Sequence, residues 1–283
     1  MTYSFEFFPP KTERGEQVLW EALAELEPLR PTFVSVTYGA GGTTQERTVR
    51  IIGKIASQTS LTPVGHLTCV GATRAELTAV IEEYRRVGVG NVLALRGDPP
   101  EGPGAEWRPT EGGLTHAVEL VELLREHDDW GIGVAAFPEC HPEAVDMEAD
   151  AKVLASKQQA GAEFAITQFF FRPQDYFALV ERAHDHGATL PIIPGIMPVT
   201  NVRQIQRFAQ LSGAEFPAEL AARFDALGDD PEAVRTLGVE LATQLCEDLL
   251  TGGAPGLHFY TLNRSTATRE IYRRLGLAAS SAD

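Results

Sequence analysis

Eight short runs of β-branched and aromatic residues recur along this chain, with helical patterns between them. Such runs predict buried strands, and apolar residues at i, i+3, i+4 and i+7 predict helices. Strands that alternate with helices predict a parallel sheet, and eight such repeats in 283 residues fit a closed (β/α)8 barrel. The predicted strands are residues 4–8, 33–37, 64–68, 91–95, 131–136, 164–167, 191–193 and 256–260.

Local sequence patterns indicate where the helices begin and end. Thr43 with Glu46, and Thr73 with Glu76, fit the T-x-x-E capping box, and Gly88 is placed to end the third helix. The helical stretch 218–250 is predicted to be an insertion before the last strand. We expect one catalytic barrel domain over residues 1–283. An open doubly wound sheet is the alternative, but no G-x-G-x-x-G follows the first strand.

Charge and cysteine content exclude several classes of function. A net charge of -15 argues against nucleic-acid and anionic-membrane partners, which require a basic face. The N-terminus shows no signal-peptide pattern, and no apolar stretch is long enough to span a bilayer. Three widely spaced cysteines indicate neither a disulfide framework nor a structural zinc site. We therefore expect a cytoplasmic protein.

One carboxylate, Glu6, lies in the apolar run from Phe5 to Phe8, just before Pro9 and Pro10. Alternation places Glu6 on the face opposite Phe5 and Phe7, near the C-terminal end of the strand. A carboxylate enclosed by aromatic residues loses hydration, so the sequence predicts a raised pKa suited to proton donation. An edge-strand Glu that faces water is the alternative.

Polar residues also lie at or just after the ends of almost all the remaining predicted strands. Because barrel enzymes place their chemistry at the C-terminal ends of the strands, these residues predict an active site. Arg96 and Lys157 are candidates for binding phosphates, and the glycines near residue 40 permit close approach of a planar ligand. His66, Glu139 and His141 leave open a metal-dependent hydrolase, which metal analysis would test, although no predicted barrel strand carries the H-x-H pattern. Cys140 as a nucleophile has less support.

Five segments together resemble the methylenetetrahydrofolate reductase family. They are SFEFFPP at 4–10, FVSVTYGA at 33–40, ALRGDP at 94–99, AITQFFF at 165–171 and HFYTLNR at 258–264. They occur in order across nearly the whole chain, and the chain resembles the short bacterial form.

The resemblance implies a flavoenzyme that binds FAD at the mouth of the barrel. Such an enzyme takes hydride from NADH or NADPH and passes it to methylenetetrahydrofolate in a ping-pong cycle that feeds methionine synthesis. Glu6 would be the general acid toward folate N10, and Asp98 would tune the flavin and hold the pterin. No metal is implied. A non-catalytic flavin- or folate-binding barrel, which anaerobic turnover would exclude, remains open, and a homo-oligomer is expected.

The resemblance also assigns binding residues by motif position. Residues matched to the flavin are Thr37, Tyr38, His66, Arg96, Gly97, Asp98, His116, Phe137, His141, Asp150 and Lys157. Residues matched to the folate are Gln168, Gln204, Phe208 and Arg264. Phe137 and His116 stand where relatives carry tyrosine, and Val153 stands where a polar residue helps to hold the cofactor. The stretch 99–113, rich in Gly and Pro, is predicted to be a mobile loop without a clear match.

Overall fold

Parallel strands form one sheet in the computed structural model, which describes residues 1–38, 42–99, 107–127, 129–228 and 230–277. Within these residues the sheet order is β7-β6-β5-β4-β3-β2-β1-β9-β8, and every pair of neighbours is parallel. The strands are β1 Thr2–Phe7, β2 Phe33–Val36, β3 Pro63–Thr68, β4 Asn91–Leu95, β5 Gly131–Ala136, β6 Phe164–Thr167, β7 Ile192–Ile193, β8 Gly195–Ile196 and β9 Gly256–Tyr260.

The two ends of this sheet are consecutive in the chain and separated by Pro194 alone. β7 pairs with β6, and β8 pairs with β9, so this divided strand joins the ends and closes the barrel. Proline has no N–H to donate, which explains the interruption. Its carbonyl still accepts from the N–H of His258. The predicted barrel is therefore confirmed, with its seventh strand divided.

Helices follow the strands along the chain. They are α1 Glu13–Leu26, α2 Gly42–Gln58, α3 Arg74–Arg86, α4 Ala117–His127, α5 Met147–Ala160, α6 Pro173–Asp185, α7 Val202–Ser212, α8 Ala218–Asp225, α9 Pro231–Thr251 and α10 Thr266–Arg274. Thr73 and Glu76 form the predicted capping box, and Gly88 follows α3 with a φ of +86°. α2 begins at Gly42, and the side chain of Thr43, the other predicted capping residue, lies outside what the structure describes.

The insertion before the last strand is helical, as predicted. Its final helix, α9, packs against α6 and α10 and so occupies a place in the outer ring of the barrel. α7 and α8 are the additional helices. They share a separate apolar cluster that includes Phe169, Val199, Ile205 and Phe224. No helix in the described residues is long and apolar enough to cross a membrane.

Two apolar layers position the site. The larger lies between sheet and helices and contains Phe5 and Phe7, which are 0% and 1% exposed. The smaller one, with Phe33, Val64 and Ile166, fills the barrel interior. Since Phe5 and Phe7 face the helices, the alternate residues of β1, Ser4 and Glu6, face the interior.

Candidate active site

The carboxylate of Glu6 lies between two buried histidines inside the barrel. Nε2 of His258 is 3.4 Å from Glu6 Oε2, and Nε2 of His66 is 3.4 Å from the same oxygen. The side chain of Glu6 is 16% exposed, whereas those of His66 and His258 are 6% and 0% exposed. Ser35 is the register partner of Glu6 on β2. Glu6 is therefore the part of this cluster most accessible from the mouth.

These neighbours set the ionisation of Glu6. Burial by itself raises the pKa of this carboxyl, but the charge on His66 and the hydrogen bond and charge of His258 outweigh it, so the pKa lies below its usual value. The expectation of a raised pKa is wrong for this arrangement, because His66 and His258 stabilise the charged form of Glu6 more than burial disfavours it. Burial also lowers the pKa of His66.

The loop after β9 ties this cluster to the end of β1. The hydroxyl of Thr261 donates to the carbonyl of Glu6 at 2.6 Å. The amide of Asn263 accepts from the N–H of Phe8 at 3.0 Å and donates to its carbonyl at 2.8 Å. Leu262 and Asn263 have φ values of +51° and +57°, which bring the amide back toward β1. Glu6 is thus held by backbone contacts from two strands.

A second group of charges follows β4 and β5. The guanidinium of Arg96 makes two hydrogen bonds to the carboxylate of Glu143, at 2.5 and 2.7 Å. The same guanidinium lies over the ring of Trp107, 4.6 Å from its centroid. Glu143 raises the pKa of Arg96. The guanidinium of Arg96 therefore remains charged, and Glu143 and Trp107 fix its orientation.

His141 and Lys157 complete this second group. The ring of His141 meets Phe137 edge-on at 4.7 Å, and its backbone N–H donates to Asp150. Lys157 is 9% exposed, and its Nζ donates to the carbonyl of Ala135 at 3.0 Å. Burial lowers the pKa of Lys157 to about 8. Burial, together with the nearby charge of Arg96, also lowers the pKa of His141.

The other residues matched to the flavin are less closely grouped. Thr37 accepts through its carbonyl from Thr48, and Tyr38 packs against the core between sheet and helices. Burial raises the pKa of Tyr38 to about 12. Gly97 has a φ of +87°, and a Cβ there would lie 2.5 Å from Val70. Asp98 is exposed.

His116 and Val153 are also exposed, and His116 is near enough to Glu143 for its charge to lower the pKa of that carboxyl. The predicted glycine contacts at 39 and 41, and residues 100–106 of the predicted mobile loop, lie outside the described residues.

Three of the four folate-matched residues line two small pockets at the mouth. Gln204 and Phe208 line one with Met197, Asn201 and Leu262. Gln168 lines the other with Phe137 and Cys140. The side chain of Gln168 accepts from the N–H of Phe169. Arg264 is exposed beside Asn263.

The three residues of the metal-hydrolase alternative have separate partners. His66 lies against Glu6, and Glu139 accepts from the N–H of Glu215. Nδ1 of His141 accepts from the N–H of Glu143. In the part of the chain that the structure describes, no group of three or more His, Cys, Asp or Glu side chains is placed to hold a metal ion. The geometry therefore does not favour this alternative.

Sequence reasoning missed two inward-facing residues of β9. His258 contacts Glu6, and Tyr260 donates its hydroxyl to the carbonyl of Thr167 at 2.7 Å. Strand alternation places both on one face, which was the available indication. The two-residue period of β9 does not reveal that β9 lies beside β1. Closure of the barrel brings these two strands together.

A closed (β/α)8 barrel whose charged groups gather at the C-terminal ends of its strands has the architecture of a barrel enzyme. Comparison with known proteins narrows this class. A sequence profile described as methylenetetrahydrofolate reductase matches residues 1–276. The chain belongs to the methylenetetrahydrofolate reductase family, the enzymes that reduce methylenetetrahydrofolate.

Individual relatives agree with this assignment. The 5,10-methylenetetrahydrofolate reductase of Escherichia coli strain K12 is 43% identical over 274 residues, which cover 97% of this chain and 90% of that protein. Methylenetetrahydrofolate reductase (NADH) 1 of Arabidopsis thaliana is 37% identical over 286 residues, covering 97% of this chain and 48% of that protein. The predicted resemblance to the family is confirmed.

A solved structure shares the fold. It is an uncharacterized protein from Clostridium thermocellum, described as binding two copies of 5-methyl-5,6,7,8-tetrahydrofolic acid. It has a TM-score of 0.61 and 16% identity, and the match covers 98% of this chain and 93% of that one. At this identity the match supports the barrel architecture alone.

Proposed function

We propose that this chain reduces 5,10-methylenetetrahydrofolate to 5-methyltetrahydrofolate with electrons from NADH or NADPH, using FAD held at the mouth of the barrel. The observation that carries the proposal is Glu6, a carboxylate at the catalytic end of β1 that is partly exposed toward the mouth. This position places a carboxyl group where the family chemistry requires a proton donor. The proposal includes one catalytic barrel over residues 1–283.

The residues at the mouth fit a flavin dinucleotide. Arg96 and Lys157 supply positive charge for its phosphates in a chain of net charge -15. Among the described residues, the hydroxyl of Thr68, buried at the end of β3, has no hydrogen-bond partner, and it can donate to or accept from a polar ring atom. Phe137 and His141 supply apolar and aromatic surface. When bound, the flavin carries hydride from the nicotinamide to the methylene carbon of the folate.

Glu6 holds and delivers the proton in this scheme. In the open barrel its neighbours keep the carboxylate charged. Ligands that cover the mouth remove water from Glu6, and further burial raises the pKa of a carboxyl group. Glu6 then binds a proton and donates it to folate N10, which opens the five-membered ring and leaves the methylene carbon as an electrophilic iminium. Binding and protonation are coupled, so the acid forms when the substrate is present.

Neighbouring residues hold the folate in this proposal. Gln168 and Asp98 offer an amide and a carboxylate to the pterin edge. Phe208, on α7, offers a ring for stacking, and Gln204 lies one turn before it. The exposed guanidinium of Arg264 pairs with the carboxylates of the glutamate tail. We also propose a cytoplasmic homo-oligomer.

The visible spectrum of the purified protein tests the proposal first. We expect a flavin spectrum that NADH or NADPH bleaches anaerobically and that methylenetetrahydrofolate restores. A colourless protein that cannot be reconstituted with FAD contradicts the proposal.

Glu6→Gln then tests the acid. We expect flavin reduction by the nicotinamide to stay near the wild-type rate and the folate half-reaction to fall by a factor on the order of 100 to 10,000. Glu139→Gln is the matched control, because Glu139 is another partly buried carboxylate at the mouth. Stopped-flow absorbance measures both half-reactions. An equal loss in both would show that Glu6 is not the acid.

A further inference from the structure

We propose that His258 is a positioning residue for Glu6, and that Ser4 holds the His258 ring in the position from which it donates to the ionised carboxylate. This inference rests on the proposed function, in which Glu6 is the acid. His258 is fully buried, and its two ring nitrogens have different partners. Nδ1 lies 2.8 Å from the hydroxyl oxygen of Ser4, and Nε2 lies 3.4 Å from Glu6 Oε2.

The barrel wall fixes this ring in place. Ser4 is the register partner of His258 across β1 and β9, so the hydroxyl and the imidazole lie side by side. The ring stacks on Phe33 at 6.1 Å and 26°, and Tyr260 meets it edge-on at 5.3 Å. The imidazole therefore has little freedom to turn away from Glu6.

The hydrogen-bond inventory determines the tautomer. A charged carboxylate only accepts hydrogen bonds, so Nε2 of His258 must carry the hydrogen when Glu6 is ionised. Nδ1 of the neutral ring then accepts, and the hydroxyl of Ser4 donates to it. Ser4 is suited to this role because a hydroxyl donates in one direction and accepts in the other. When Glu6 is protonated, its O–H can donate to Nε2 of His258, and the hydrogen then on Nδ1 can donate to the hydroxyl oxygen of Ser4. No side chain has to move.

His66 does not share this arrangement. Its Nε2 is equally close to Glu6 Oε2 but forms no hydrogen bond there. The groups that face Glu6 are His66 on β3, Ser35 on β2, and His258 and Tyr260 on β9. Within this set, His258 is the histidine whose other nitrogen is also hydrogen-bonded, and this orients its N–H toward the carboxylate.

Two substitutions at His258 separate positioning from packing. His258→Leu removes the donor and fills much of the space, whereas His258→Gln retains an N–H donor on a side chain of similar reach. We expect His258→Leu to slow the folate half-reaction by roughly tenfold. The alkaline limb of its pH–rate profile should move to higher pH, because the hydrogen bond that is lost stabilises ionised Glu6 and its loss raises the pKa of that carboxyl. We expect His258→Gln to restore most of the rate and of the pH profile.

Ser4→Ala is the second variant, and it retains the imidazole. We expect it to move the same pH limb in the same direction by a smaller amount. A difference infrared titration of each protein, with its Glu6→Gln counterpart subtracted, measures the ionisation of Glu6 without turnover. We expect flavin content and reduction by the nicotinamide to stay unchanged in all three variants.

The outcomes distinguish this inference from the proposed function. If the infrared titration of Glu6 is the same in wild type, His258→Leu and Ser4→Ala, the inference is overturned. A His258→Gln variant as slow as His258→Leu, with an unmoved pH limb, overturns it as well, since packing alone then explains the loss. If Glu6→Gln retains the folate half-reaction, the proposed function fails, and the infrared titration still reports whether His258 governs Glu6.

Discussion

Replacement of Lys157 by Met should make the protein more stable at neutral pH. Lys157 lies in the last turn of α5 and is buried with its amine on the carbonyl of Ala135. Burial lowers the pKa of Lys157 from 10.5 to about 8. Each pKa unit corresponds to about 1.36 kcal/mol, so the charged amine destabilises the folded state by about 3 kcal/mol. Methionine has a similar length without the charge.

The effect has a defined dependence on pH. Below pH 8 the amine of Lys157 is charged in both states, and the whole penalty is present. Between pH 8 and 10.5 the unfolded chain binds a proton that the folded protein does not, so the unfolding free energy of wild type rises with pH. Lys157→Met also leaves the carbonyl of Ala135 without its donor, which costs about 1–2 kcal/mol.

We therefore expect Lys157→Met to be about 1–2 kcal/mol more stable than wild type at pH 7 and slightly less stable near pH 10. Urea denaturation at several pH values measures this difference. Lys152→Met is the control, because Lys152 is exposed on the same helix and its replacement should change stability little at any pH. If the difference between Lys157→Met and wild type is the same at pH 7 and pH 10, the reasoning is refuted. Weaker flavin binding by Lys157→Met would further support a phosphate-binding role.

Two other substitutions test the architecture of the site. Asn263→Ala should destabilise the protein by about 2–4 kcal/mol, because the N–H and carbonyl of Phe8 lose their partners and alanine disfavours a φ of +57°. Asn263→Asp retains the acceptor and should therefore cost less in the same urea titration. Gly195→Ala should lower the free energy of unfolding by about 1–3 kcal/mol, because its Cβ would lie 2.3 Å from the carbonyl oxygen of Thr167 and 2.6 Å from the ring of Tyr260. An unchanged denaturation midpoint would contradict the packing described inside the barrel.

Local sequence patterns predicted most of the architecture. The period of each strand and helix is a property of a short segment, so eight strands and the capping box at Thr73 could be recognised without a three-dimensional structure. The division of the seventh strand at Pro194 is also a local effect, because proline has no N–H to donate. The start of α2 at Gly42 was harder to predict, because helix ends depend on their surroundings.

The ionisation of Glu6 shows what local patterns cannot provide. Its neighbours in the chain are phenylalanines, and from them alone the sequence predicts a raised pKa. Its neighbours in space include His66 and His258, which come from two other strands and lower the pKa of Glu6. Alternation correctly placed Glu6 opposite Phe5 and Phe7, but it could not identify what lies across the barrel.

The sequence by itself therefore determined the family, the alternation of strands and helices, and the position of Glu6 at the catalytic end of β1. Only the tertiary structure decided that His258 and Ser4 contact each other and that Glu6 is held in its ionised form. The reason is physical: periodicity and capping act within a few residues, whereas burial and charge act between atoms that barrel closure brings together from positions 6 and 258.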